Sequence, residues 1–289
     1  MEIRILLEGS PAIAYRDPAC IWDGSEYRLF CTRSVLDADG YMYNTVAYCR
    51  GPSLDRLSAP ADITVRDRLL NYCSPGCILK VGKEYLIPVS SYPLPFPCRE
   101  RAVATDDARI FLIRTEDFVT FSAPEPILAK GDTPLSDLGR MIDPCLFRDG
   151  EDEGLYHLFF KQNGIGHSHS RDLIRWTYDG HIDGGENASV YRRDGLYHLY
   201  HSPANGVGHK VSSDLLHWKE LGVSTLGQSR LPFASGRITA GYFTESAPGE
   251  AHPYLLFFHG SRADCPPETH GGATLAAVYL DSTDLPDET

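Results

Sequence analysis

Three acidic residues open short apolar runs far apart in the chain: Asp17 and Asp143, each followed by proline, and Glu186 in Gly185-Glu186-Asn187. An aspartate before proline ordinarily starts a turn. Carboxylates brought together from separate segments can do more, because one can protonate a leaving oxygen while another activates water or attacks carbon. Converging carboxylates also repel one another, so at least one should hold its proton to a higher pH. Their chemistry therefore depends on the elements that carry them.

Those elements repeat. GLYHLFFKQNGIGHSHSRDLIRW at 154–176 is echoed by GLYHLYHSPANGVGHKVSSDLLHW at 195–218, an offset of 41 to 42 residues. These two copies open at Asp143 and Glu186, and weaker copies, each a short apolar strand, a turn and a Tyr-bearing strand, begin at Asp17, Ser74 and Arg237, which makes five. Nothing in the chain sustains a helical period, and glycine and proline are common throughout. Five units of four strands predict an all-β fold, a five-bladed β-propeller with four antiparallel strands per blade, as one domain over 1–289. The Pro-rich stretch from Ser91 to Asp107 is expected to loop over one face of the ring. In a propeller the innermost strands line a shared channel, so Asp17, Ser74, Asp143, Glu186 and Arg237 should meet in one cavity.

At these residues the chain resembles glycoside hydrolase family 43 and its five-bladed relatives, of the kind found in families 32, 62, 68 and 117. The likeness lies in Tyr15-Arg16-Asp17-Pro18-Ala19-Cys20-Ile21, Met141-Ile142-Asp143-Pro144-Cys145-Leu146-Phe147 and Gly185-Glu186-Asn187, and it covers most of the chain. It implies an O-glycosyl hydrolase working by inversion, with Asp17 as general base, Glu186 as general acid and Asp143 orienting and tuning that acid. The substrate expected is a short oligosaccharide, attacked from its end. Tyr15, Tyr72 and Tyr92 are candidate platforms for the apolar face of a sugar. His259, at the end of a fifth-blade strand, could reach the cavity, while His167 and His209 recur with the repeat as structural groups or polar contacts to the sugar. Trp22, Trp176 and Trp218 read as packing residues, and Asp106, Asp107 and Arg109 as solvated charge.

The chain departs from the family pattern in places. Family 43 proteins often hold a channel calcium with a fifth-blade histidine, but the matching place reads Ser235-Gly236-Arg237-Ile238-Thr239, and a fixed cation argues against that ion. No other metal or cofactor is expected. Asn187-Ala188 stands where the relatives follow the acid with Ala or Gly and then Pro. The Asn-Asp-Pro-Asn-Gly motif of the retaining family 32 is absent, since this chain reads Arg16-Asp17-Pro18-Ala19-Cys20. Alternatives on the same fold are a retaining glycosidase, or a phosphorylase whose phosphate site would draw on Arg237 with His259 or Arg262. A non-catalytic sugar- or protein-binding propeller is the alternative of another class, and it would tolerate loss of the carboxylates.

Charge narrows the partners. With 27 basic and 39 acidic side chains the net charge is -12, which repels phosphate backbones and anionic lipids, so neither nucleic acid nor a membrane is an expected partner. No apolar run approaches the roughly 18 residues of a membrane span. The first residues, Met1 to Glu8, lack the apolar core of a secretory leader, and the eight cysteines show no metal-binding spacing. They are read as buried thiols of a cytoplasmic protein.

Overall fold

The computed structural model describes residues 2–38, 40–67, 69–93, 107–150, 154–265 and 270–286. Blade 1 runs from the channel outward as Ile13–Trp22, Tyr27–Leu36, Met42–Gly51 and Ala61–Asp62. Blade 2 is Tyr72–Cys73, Glu84–Ser91, Arg109–Thr115 and Glu125–Pro126, with Leu79–Val81 also paired to its second strand. Blade 3 is Ile142–Arg148, Tyr156–Lys161, Ile165–Ser170 and Thr177–Ile182, and blade 4 is Glu186–Arg193, Leu196–Ser202, Val207–Ser212 and Lys219–Ser224. Blade 5 takes Arg237–Glu245, Tyr254–Ser261 and Thr274–Leu280 from one end of the chain and Ile3–Leu7 from the other, with Ile5 opposite Ala276. The fold is the expected five-bladed propeller. Its closure by the first strand was not anticipated, because the five-residue run at Ile3–Leu7 has no repeat partner. Most of the expected loop, 94–106 with Asp106 and Cys98, lies outside the described residues.

The inner strands share one local irregularity. Pairing shifts register between Arg16 and Ala19, Ile142 and Cys145, Glu186 and Ser189, and Thr239 and Tyr242, while in blade 2 the inner strand is interrupted after Cys73. At each break one residue takes a left-handed backbone: Asp17 (φ 49°), Ser74 (46°), Asp143 (53°), Asn187 (53°) and Ala240 (56°). Asp and Asn are among the non-glycine residues that enter this region most readily. Four of these residues send their backbone N–H to the second strand of the preceding blade: Asp17 to His259 Nδ1 (3.2 Å), Ser74 to Thr32 Oγ1 (2.6 Å), Asp143 to Ser90 Oγ (2.9 Å) and Ala240 to Ser202 Oγ (2.6 Å). In blade 3 the corresponding position, opposite Ile142, is Lys161, whose ammonium has no lone pair to accept such a bond.

This girdle corrects the alignment of the repeats. The structural equivalents of Asp17 are Ser74, Asp143, Asn187 and Ala240; Glu186 stands one residue earlier and Arg237 three residues earlier. Chemical likeness among charged side chains suggested one register, whereas the backbone bulge sets another.

Apolar side chains fill the spaces between and within blades, among them Phe30, Phe159 and Phe257, all fully buried. Tyr200 stacks on Phe243 across the junction of blades 4 and 5, their rings 4.6 Å apart. Trp176 is buried, Trp218 donates from Nε1 to Leu215 O (3.0 Å) and Trp22 sits edge-on to Tyr27 (5.1 Å), in keeping with packing roles. Backbone approaches backbone closely along the channel: a Cβ on Gly76 would lie 1.5 Å from the Pro144 carbonyl oxygen. Ser202→Ala would strand the Ala240 N–H in the interior, a loss of about 1–3 kcal/mol. Thermal denaturation of this variant should show a midpoint several degrees below that of the parent chain.

Candidate active site

A cleft of about 650 Å³ opens at the mouth of the channel. Asp17, Asp143 and Glu186 line it from blades 1, 3 and 4, with Ser74 between them and Arg237 and His259 from blade 5. The bulges bring the first two to the channel, since a residue forced out of the ladder presents its side chain away from the sheet.

The three carboxylates occupy different surroundings. Asp17 is buried, and its Oδ2 accepts from Thr32 Oγ1 (2.8 Å) and Ser74 Oγ (3.2 Å) and lies 3.3 Å from Arg16 Nη1. Burial works to raise its pKa, but the Arg16 guanidinium and the Thr32 hydroxyl outweigh it and hold the carboxyl below its ordinary value. Asp143 is equally buried, and burial together with the charges of Glu186 and Asp17 outweighs a hydrogen bond with Ser74 and the more distant Arg140 charge and lifts it to about 7. The proton that crowded acids must share thus falls to Asp143. Glu186 is partly exposed, and its Oε1 accepts from Arg237 Nη2 at 3.1 Å, which leaves Oε2 outside that ion pair. Arg237 Nη2 is also anchored on Pro203 O at 3.1 Å.

His259 is fixed by the girdle. Because Nδ1 accepts the Asp17 N–H, the neutral ring carries its proton on Nε2, and burial pushes its pKa down to about 3. His270, in a left-handed conformation on the loop before the last strand, also lines the cleft, and burial lowers its pKa far below the usual histidine value.

Next to the cleft lies a small space of about 20 Å³, lined by Asp17, Ser74, Asp143 and Asn187 together with Pro18, Pro75, Pro144 and Gly241. Among the described residues no group of three or more His, Cys, Asp or Glu side chains is placed to hold a metal.

Several expected contacts lie elsewhere. Tyr92 lines the cleft, but Tyr15 packs against the hydrophobic core and Tyr72 is buried edge-on to Phe111 (5.4 Å). His167 and His209 sit on third strands, outward from the channel. His167 pairs with His157 (2.9 Å) and stacks on Phe159 (4.5 Å); His209 pairs with His198 (3.0 Å) and stacks on Tyr200 (4.6 Å). They are structural imidazole pairs, driven neutral by burial to about 3 and about 4. Sequence reading overlooked Arg16, Arg140, Asn187 and His270, all of which line the cleft. Arg16 was legible as a cation beside an acid, and Asn187 holds the bulge position of the fourth inner strand; Arg140 and His270 belong to connections that no repeat marks.

No protein-family model matches the chain, and no curated protein matches it in sequence. Solved structures match it in fold. A GH43 enzyme from Xanthomonas citri complexed with xylose shares 13% identity at a TM-score of 0.62, over 96% of this chain and 90% of that one. An alpha-L-arabinofuranosidase from Lactobacillus brevis shares 15% at 0.66, over 94% and 92%. A family 117 glycoside hydrolase from Zobellia galactanivorans shares 14% at 0.68, over 96% and 88%. The chain therefore has the five-bladed fold of these proteins.

Two variants test the electrostatics. The folded chain keeps a proton on Asp143 where the unfolded carboxyl, near 3.8, has lost it, so this group's contribution to stability falls as pH rises from about 4 to about 7. Asp143→Asn should accordingly raise the melting temperature more at pH 8 than at pH 4, and a gain of equal size at both would contradict the assignment. Thr32→Val removes the hydroxyl that bonds both Asp17 and the Ser74 N–H. It should raise the Asp17 pKa, read by carbon-13 NMR of the carboxyl, and lower stability by about 1–3 kcal/mol.

Proposed function

We propose that the chain is a glycoside hydrolase that trims short oligosaccharides from their ends with inversion at the anomeric carbon. The observation that carries this reading is the opposite treatment of two buried acids in one cleft: Asp17 is held ionised while Asp143 is held near 7, beside the partly exposed Glu186. Perturbed carboxyl groups gathered in one cleft mark a site built for acid–base work. A scaffold that only binds has no use for burying charge at such expense.

Glu186 gives its Oε2 proton to the glycosidic oxygen as the bond to the anomeric carbon breaks. Asp17, already ionised, takes a proton from the water that attacks the opposite face, so the products are a free sugar and an alcohol. Asp143, electrostatically linked to both, orients the acid. His259 Nε2–H provides a neutral donor lining the cleft. Inversion requires the acid and base about 6.5–9.5 Å apart, with room for the water. The pentosides and arabinofuranosides of the structural neighbours' names are the first substrates to try.

The described cysteines are all free and buried, consistent with a cytoplasmic setting, and among the described residues no helix is long and apolar enough to cross a membrane.

Glu186→Gln should slow hydrolysis of natural glycosides by about 100- to 10,000-fold while sparing dinitrophenyl glycosides, whose leaving group needs no proton. Equal slowing of both would place the acid elsewhere. Asp17→Asn should abolish turnover of both kinds. Proton NMR of the first-formed product should show the anomer opposite to the substrate's; the same anomer would establish retention.

A further inference from the structure

Counting charge around the cleft gives four arginines, Arg16, Arg140, Arg237 and Arg262, against the three carboxylates Asp17, Asp143 and Glu186. An excess of fixed cations is unexpected in a chain of net charge -12. Three of the four are engaged: Arg16 with Asp17 (3.3 Å), Arg237 with Glu186 (3.1 Å) and Arg262 with Asp264 (3.2 Å). Arg140 has no carboxylate within 4.0 Å among the described residues, and its buried Nε has no hydrogen-bond partner there. Its guanidinium lies over the Tyr92 ring, 5.5 Å from the centroid, so an aromatic face supports the cation without neutralising it.

We infer that Arg140 on its Tyr92 platform is a specificity-determining subsite for a negatively charged substituent of the sugar, a uronate carboxylate or a sulfate ester. A planar guanidinium suits the paired oxygens of such anions, which it can bind through two parallel hydrogen bonds. The Arg140 charge acts on Asp143 without forming an ion pair within 4.0 Å among the described residues. An anionic substrate also suits the ring as a whole: the negative surface repels it, but the cationic cleft gives it one place to settle, which favours selection over general affinity.

This inference rests on the glycosidase reading for the word sugar, yet binding can be measured without turnover. Calorimetric titration would compare galacturonate, galactose 6-sulfate, galactose and inorganic phosphate against the parent chain, Arg140→Gln and Arg140→Lys. The expected result is at least tenfold tighter binding of galacturonate or galactose 6-sulfate than of galactose. Arg140→Gln should cut that ratio by tenfold or more, and Arg140→Lys should restore part of it. Equal or tighter binding of galactose, or a ratio unmoved by Arg140→Gln in a variant whose melting temperature matches the parent, overturns the proposal. Phosphate binding as tightly as the acidic sugars and losing the same factor in Arg140→Gln also overturns it, since the site would then take a free anion. Hydrolysis of neutral glycosides with an unmoved ratio leaves the glycosidase reading standing alone; selective binding of sugar acids without hydrolysis of any uronide or sulfated glycoside leaves this subsite standing alone.

Discussion

The backbone bulge on each inner strand is the constraint on which the rest depends. It places one residue per blade in a left-handed conformation and, at four junctions, ties that residue's N–H to a Thr, Ser or His of the blade before. Strain of this kind persists only where the surroundings over-determine it, and it gathers where side chains must be aimed. The same hydrogen bonds that join the blades also dress the site. Thr32 accepts from Ser74 and donates to Asp17, and His259 takes the Asp17 N–H and is left with a donor on its other nitrogen. Blade assembly and site organisation are one network.

Electrostatic asymmetry follows from where the arginines fall. Asp17 and Asp143 share a bulge position, a following proline and complete burial, yet Arg16 precedes one and Ile142 the other. Arg16 and the Thr32 hydroxyl hold Asp17 below its ordinary value, whereas burial and the charges of Glu186 and Asp17 lift Asp143. Arg237 then completes the set by reaching across from blade 5 to Glu186.

Much of this was readable in advance. The period of 41 to 42 residues identified the fold because each blade must bury its faces against its neighbours, and that requirement recurs in the spacing of apolar residues. The two Asp-Pro pairs marked channel positions because proline follows the bulge in both blades. Other features escaped. Alternation along a strand says that a tyrosine faces one side, but not whether that side meets a cleft or a neighbouring blade, and so Tyr15 and Tyr72 were misplaced. His167 and His209 repeat faithfully because they fill equivalent gaps between strands, which is a packing signal and not a chemical one. Arg140 and His270 come from connections, whose placement is set by tertiary context.

Joining Ile3–Leu7 to Thr274–Leu280 makes the last sheet a splice between remote parts of the polypeptide. Loop entropy must be surrendered before that pairing returns any stability, so completion of the circle is intrinsically slow. Until then Thr274–Leu280 would have a bare outer edge, able to recruit a stray strand from another molecule. Blades 1 to 4 can mature in order as they are synthesised, whereas Asp17, whose N–H is held by His259 of the final blade, would acquire its full set of partners only when the circle is sealed.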